Sequence, residues 1–280
     1  MMRIALATAA PMAMLFAHPV HAQPVPAQGG PQPGGDTVTV GLGIAMTTSY
    51  DGASDYKVIP GGALRGTVNG HDFQLTGLQL FVDAIPNRRG GKIDVEFGPV
   101  AGVNLNRTGD VSDARVAALG ELRTAVELGL RGSLGWRGVL NRTDKLALSV
   151  TAVRDVAGAH DSHVVSPSLE YTTLLSRRTF ARLAVTGEFT GKDHANYYFG
   201  IDNAGAAASG LAAYTPGGGL ASVGGSALAI HSLSGGRTGW ALFGVVSYKR
   251  LQGDVARSPI VRTTGSPDQV FTSVGLAYTF

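Results

Sequence analysis

The sequence has no cysteine among its 280 residues. That removes disulfide frameworks, thiol chemistry and cysteine-ligated metal centres. Long hydrophobic runs are missing too. Past residue 22, no apolar stretch approaches the roughly 20 residues a membrane-spanning helix needs. Aromatic side chains make up only 7% of the chain. Charge is sparse and balanced: of 23 basic residues Arg3 alone precedes position 23, leaving 22 against 20 acidic ones. With no basic cluster along the chain, nothing argues for nucleic acid as a partner. What is abundant is glycine, 40 residues, about twice the usual share.

The opening residues read as a secretory signal. Arg3 precedes the apolar run "IALATAAPMAMLFA" (4–17), and "VHA" (20–22) supplies small residues for cleavage after Ala22. The run is too short for a spanning helix and is broken by Pro11. No cysteine stands at the cut, which excludes a lipoprotein. "QPVPAQGGPQPGG" (23–35) reads as a flexible leader, and 36–280 as one domain.

Beyond the leader the chain alternates with period 2. "TVTVGLGIAM" (37–46) puts Val38, Val40, Leu42, Ile44 and Met46 on one face. "KIDVEFGPVAGVNL" (92–105) sets Ile93, Val95 and Phe97 against Lys92, Asp94 and Glu96. "ELRTAVELGLRGSLGW" (121–136) sets Leu128, Leu130 and Leu134 against Arg123, Glu127 and Arg131. A helix over 114–131 competes there, but it would spread those charges around its circumference, so a strand is preferred. Alternation also marks 144–156, 163–175, 179–189, 220–233, 238–251 and 269–280, with further strands near 56–68, 72–83 and 194–201. "NG" at 69–70 signals a hairpin.

That makes twelve strands, many longer than ten residues, where globular strands average five or six. The expected fold is an all-β, transmembrane, antiparallel β-barrel of about 12 strands, with apolar side chains toward lipid and polar ones toward the lumen. Glycines such as Gly41, Gly43, Gly98, Gly102, Gly129 and Gly275 suit a crowded, curved interior. Trp136 and Trp240 near strand ends fit the membrane interface. The last strand, "SVGLAYTF" (273–280), carries Ser273, Gly275, Tyr278 and a final Phe280. It looks like the terminal signature of bacterial outer-membrane barrels, which the barrel assembly machinery reads.

Toward the end of the chain the resemblance narrows. "NYYFGID" (196–202), "SGLAAYTPGGGL" (209–220), "GWALFGVVSYKRLQGD" (239–254) and "ARSPIV" (256–261) are similar to the MipA/OmpV family, and "AHDSHVVSPSLEY" (159–171) fits more loosely. The motif positions are Tyr197, Tyr198, Gly200, Ser209, Gly210, Tyr214, Ser258 and Pro259. The resemblance implies a cell outer-membrane protein in outer-membrane lipid, acting as a non-catalytic scaffold. Its partners would be a lytic transglycosylase and a penicillin-binding protein, enzymes that remodel peptidoglycan. It implies no catalytic residue, metal or cofactor.

The residues themselves carry little chemistry. "HDSH" (160–163) has two histidines, but in a turn they read as a solvated polar cluster rather than a metal pair. Asp161, Ser162 and His163 adjoin, yet a triad is defined across a fold, not along a chain. A G-x-S-x-G elbow is absent, so the chain is read as non-enzymatic. Lys92, Asp94, Glu96, Arg123, Glu127 and Arg131, with Lys145, Glu170 and Lys249, would face the lumen. They read as cross-strand ion pairs plugging it, or as the wall of a narrow pore for small solutes. An outer-membrane hydrolase is a third reading. If both termini face the periplasm, connection 106–119 is a long periplasmic turn and, with the leader, a candidate partner contact. Loops 202–216 and 252–267 then face outside.

Overall fold

The computed structural model describes residues 36–86, 91–109, 111–235 and 238–280. The expected signal and leader lie outside the described residues. Strands β1 (Thr37–Thr48), β2 (Tyr56–Val68), β3 (His71–Thr76), β4 (Gln79–Val82), β5 (Ile93–Asn104) and β6 (Ala125–Arg137) form the first half. Then come β7 (Lys145–Asp155), β8 (His163–Leu174), β9 (Thr179–Thr190), β10 (Gly219–Ser232), β11 (Gly239–Leu251) and β12 (Asp268–Thr279). All twelve close into one antiparallel barrel in which β1 lies between β2 and β12. Short helices α1 (Ala114–Ala117), α2 (Lys192–Phe199), α3 (Asn203–Ser209), α4 (Gly253–Arg257) and α5 (Pro259–Arg262) occupy the connections.

The period-2 pattern becomes an inside and an outside. On β1, Leu42, Ile44 and Met46 are exposed while Gly41, Ala45 and Thr47 are buried. On β6, Leu128, Leu130, Leu134 and Trp136 point out, and Glu127, Arg131 and Ser133 point in. An exterior of exposed leucine, isoleucine and valine is unfavourable in water at about 25 cal/mol per Å². Against hydrocarbon it is the stable arrangement, so the barrel is transmembrane. Aromatic rings mark both ends of the wall. Trp136, Trp240, Tyr278 and Phe280 sit at the rim where the described chain starts and stops, with Trp240–Tyr278 and Tyr278–Phe280 centroids 5.1 and 4.8 Å apart. Tyr56, Phe189 and Tyr248 lie exposed toward the other rim.

The strand count agrees with the sequence reading, but two of its members do not. Segment 72–83 is two strands, β3 and β4, turned at Gly77 with φ +57°. Glycine first in a two-residue loop gives a tight hairpin without a polar break, so alternation runs through it unmarked. Segment 194–201 is mostly the helix α2, which buries His194, Ala195, Tyr198 and Phe199 along one face and stops at Gly200. The competing helix over 114–131 survives only as the single turn α1, capped by Asp113. Residues Asn69 and Gly70 do form the expected hairpin, both at positive φ.

The missed turn has a consequence for the loops. Connections 49–55, 77–78, 105–124, 156–162, 191–218 and 252–267 all emerge at the rim opposite the ends of the barrel. Segment 106–119 therefore joins 202–216 and 252–267, and the expectation of a turn on the side of the termini is corrected. The near rim carries the short connections, among them 69–70, 138–144 and 175–178.

Closure brings Gly43 opposite Gly275 in the β1–β12 register. A Cβ on Gly275 would run into the carbonyl oxygen of Leu42, and one on Gly43 into that of Val274. Gly275→Val is expected to abolish the compact, heat-modifiable species on unboiled SDS gels. Gly244→Val, which enters open space on the neighbouring strand, is expected to retain it. Equal yields of folded barrel from both variants would refute this account of the seam.

Candidate functional site

Three features inside and at the ends of the barrel are candidates. The first is a layer of charge across the lumen. Arg131 of β6 donates to Glu170 Oε1 of β8 at 3.1 Å, and Arg182 of β9 donates to Glu170 Oε2 at 3.0 Å. Lys145 of β7 reaches Asp94 and Glu96 of β5 at 2.8 and 2.9 Å, and Arg137 joins Asp94 at 2.9 Å. The Arg131 guanidinium also lies 5.6 Å from the Phe81 ring centroid. Between Gln74, Phe81, Glu96, Arg131, Lys145 and Glu170 the packing leaves a cavity of about 20 Å³, scarcely more than a water occupies. Val100, Val153 and Val164 fill the interior elsewhere. Asp94, Glu96, Glu127 and Arg131 thus point inward. Lys92 and Arg123 do not: both lie exposed just before their strands, where the alternation has not yet begun. Arg123 instead exchanges backbone hydrogen bonds with the Tyr197 hydroxyl at 2.7 and 3.0 Å.

The second feature is a cap over the far rim. One apolar cluster packs Ala195, Tyr198 and Phe199 of α2 against Leu251, Val255 and Val261. A second joins Tyr50 and Ala53 of the β1–β2 connection to Val116, Ile201, Leu211 and Ile260. Buried residues of this kind contribute roughly 1.5–3 kcal/mol each for the larger side chains. Polar ties fix the rest. Ser258 donates to the Phe199 carbonyl at 2.7 Å and caps α5, whose first residue is Pro259. Tyr214 donates to the Asp254 carbonyl at 2.9 Å, and Arg107 to that of Tyr198 at 3.0 Å. Ser209 donates to the Gly205 carbonyl, and Gly210 ends α3 at φ +70°. Gly200 ends α2 beside Asn196. All the family-motif positions, Tyr197, Tyr198, Gly200, Ser209, Gly210, Tyr214, Ser258 and Pro259, therefore belong to this cap.

Beneath the cap, Glu127 of β6, His160 of the β7–β8 connection and His194 of α2 converge. All three are buried, and the His160 and His194 rings stand edge to face at 4.8 Å. Tyr198, one helical turn after His194, packs on it with centroids 4.8 Å apart. Burial beside the Glu127 carboxylate pushes the Tyr198 phenol well above its ordinary pKa. The solvated reading of "HDSH" is thereby corrected. Its first histidine is interior and pairs across the fold, whereas Asp161 and His163 are exposed. The spacing of His194, Tyr197 and Tyr198 at i, i+3 and i+4 was the available signal, hidden by reading that segment as a strand.

The third feature is the near rim. Lys92, Arg142, Arg177 and Arg178 are exposed there. Nearby carboxylates are already engaged: Asp83 accepts from Ile85 and Phe97, Asp94 pairs with Lys145, and Asp144 accepts from Val139, Leu140 and Asn141. The basic residues are dispersed along the chain, and only the barrel collects them. On β12, Ser273 donates to the Ile44 carbonyl at 3.0 Å, Gly275 sits in the seam, and Tyr278 and Phe280 join the near-rim aromatics.

Glu170 is the hinge of the lumen layer, since it alone separates two buried guanidinium groups. Glu170→Ala is expected to destabilise the barrel by about 3–5 kcal/mol, because it leaves buried charge uncompensated. The urea midpoint in lipid vesicles reads this. A loss under about 1 kcal/mol, the range of exposed pairs, would mean that the layer is solvated.

Comparison with known proteins places this geometry. No curated protein is similar enough to match. Solved barrels align over most of the chain but loosely. An outer-membrane channel from Pseudomonas putida F1 is 14% identical over 91% of this chain and 99% of its own, with TM-score 0.44. OmpT, an outer-membrane protein of Vibrio cholerae, is 7% identical over 92% and 100%, with TM-score 0.40. An anion-selective porin from Comamonas acidovorans is 11% identical over 88% and 99%, with TM-score 0.36. Such fits are too loose to carry function. The family model described as "MltA-interacting protein MipA" is of another kind: it matches residues 40–280, β1 through the last strand, and the chain belongs to the MipA family.

Proposed function

We propose that the protein is a closed, non-catalytic barrel of the outer membrane that holds a cell-wall enzyme at its periplasmic rim. The observation that carries this reading is the buried Arg131–Glu170–Arg182 and Lys145–Asp94–Glu96 layer, with about 20 Å³ left between its members. A lumen so filled suits a platform better than a conduit. The family's name, MltA-interacting protein, supports a protein partner, and the resemblance implies that it is a lytic transglycosylase, with a penicillin-binding protein beside it. Bacterial barrels put short turns in the periplasm and long loops outside. By that rule the rim with the short turns and both ends of the barrel is periplasmic. Export by a signal cleaved after Ala22, and assembly directed by Ser273, Gly275, Tyr278 and Phe280, complete the proposal.

The docking face then moves from 106–119 to the near rim, where Lys92, Arg142, Arg177 and Arg178 offer positive charge to an acidic surface. A narrow pore is the competing reading, favoured by the row of mixed charge on the inner wall.

Crosslinked capture from intact outer membranes, with a tag inserted near Gly30, is expected to enrich a lytic transglycosylase or a penicillin-binding protein. Reversing charge at Arg142, Arg177 and Arg178 together is expected to reduce capture about tenfold, a 1.4 kcal/mol effect. Recovery of the barrel alone would defeat the scaffold reading. Discrete conductance steps in planar bilayers, lost on changing Arg131, would establish the pore instead.

A further inference from the structure

We infer that Glu127, His160 and His194 form a binding site for one divalent first-row metal ion, with Zn²⁺ the ion whose chemistry fits the ligand set. Two imidazoles and one carboxylate are donors that Zn²⁺ takes in sites keeping a fourth position for water. The three ligand atoms lie within 4.8 Å of one another. His160 Nε2 and Glu127 Oε1 stand 3.9 Å apart. Zinc–ligand bonds of about 2.0–2.1 Å would draw the three together to roughly 3.4 Å, a change that side-chain torsions can supply. All three residues are 4–5% exposed, so the ion would be enclosed rather than held on a surface.

Two independent observations support a ligand here. Among the described residues, Glu127 Oε1 is buried without a hydrogen-bond partner, although the side chain is inside the barrel. A carboxylate in that position is costly to bury unless something cationic meets it. Second, the donors are held in place from outside. Asp155 accepts the backbone N–H groups of Ala157, His160 and Asp161 at 2.8–3.1 Å, which fixes the loop that carries His160. The Ser162 N–H donates to His160 Nδ1 at 3.2 Å, which places the imidazole proton on Nε2, 3.9 Å from Glu127 Oε1, so this contact orients the ring but is not itself preparation for a metal. Coordination through Nε2 moves the imidazole proton to Nδ1, so this long contact would be given up.

The ligands come from three elements: the barrel wall, the β7–β8 connection and α2 of the cap. An ion there would pin the cap to the wall, and occupancy would set how firmly the far rim is closed. The site does not depend on whether the near rim docks an enzyme.

The test uses the full-length, tag-free barrel folded in detergent, equilibrated with Zn²⁺ and freed of excess by dialysis. Elemental analysis is expected to find about one zinc per barrel, and Zn²⁺ to slow proteolysis of the cap loops. The double variant Glu127→Gln/His194→Ala is expected to lose the ion, while His163→Ala, which changes the exposed neighbour, keeps it. Heat-modifiable mobility on gels confirms that each variant is folded. A wild-type barrel that retains no zinc would overturn the inference, as would undiminished zinc in the folded double variant.

Discussion

In hydrocarbon, a sheet edge leaves backbone N–H and C=O groups without water, at several kcal/mol for each one unsatisfied. The ladder between β1 and β12, from Thr39–Thr279 to Met46–Thr272, is the contact that removes that edge. Everything else follows from it. Closure fixes a lumen, the lumen gives one face of every strand an interior, and the interior is where the charged residues must find partners. Gly43 and Gly275 meet in the seam because the two backbones approach there more closely than any Cβ permits.

Filling the lumen with charge is a demanding solution. Ionised groups lose hydration on burial, and the loss is offset only where geometry is good. The Glu170 carboxylate is shared by two guanidinium groups and the Lys145 ammonium by two carboxylates, so each charge faces its opposite at hydrogen-bond distance. The cap achieves closure at the far rim by different means. There the long connections supply enough apolar surface to make two small cores of their own, as a soluble domain would. Packing dominates at that end, beside the Lys249–Asp51 pair, and ion pairs dominate in the half of the lumen toward the near rim. The near rim has short connections and exposed arginines at 142, 177 and 178.

Much of this was legible along the chain. Alternation is a local property with period 2, and it identified the lipid face, the lumen face and Asp94, Glu96, Glu127 and Arg131 as inward residues. The single positions picked out by the family resemblance, from Tyr197 to Pro259, are far apart in sequence and meet in the cap. Less legible was anything that depends on counting. The Gly77–Leu78 turn is too short to interrupt the pattern, and one missed turn assigns the connections that follow it to the wrong rim until a second error cancels it. Reading α2 as a strand restored the count, which is why only the loops between those two points were misplaced.

The sequence by itself determined which side chains meet lipid and which do not, because the pleat transmits hydrophobicity residue by residue. It also determined that the wall must close, because long alternating strands with one apolar face can cross hydrocarbon only as a sheet without an open edge. Only the tertiary structure decided which loops share a rim, that dispersed arginines gather at one end, and that His160 meets His194 and Glu127 rather than His163. Those pairings join residues more than thirty positions apart, and their proximity is set by barrel closure and cap packing rather than by any local period.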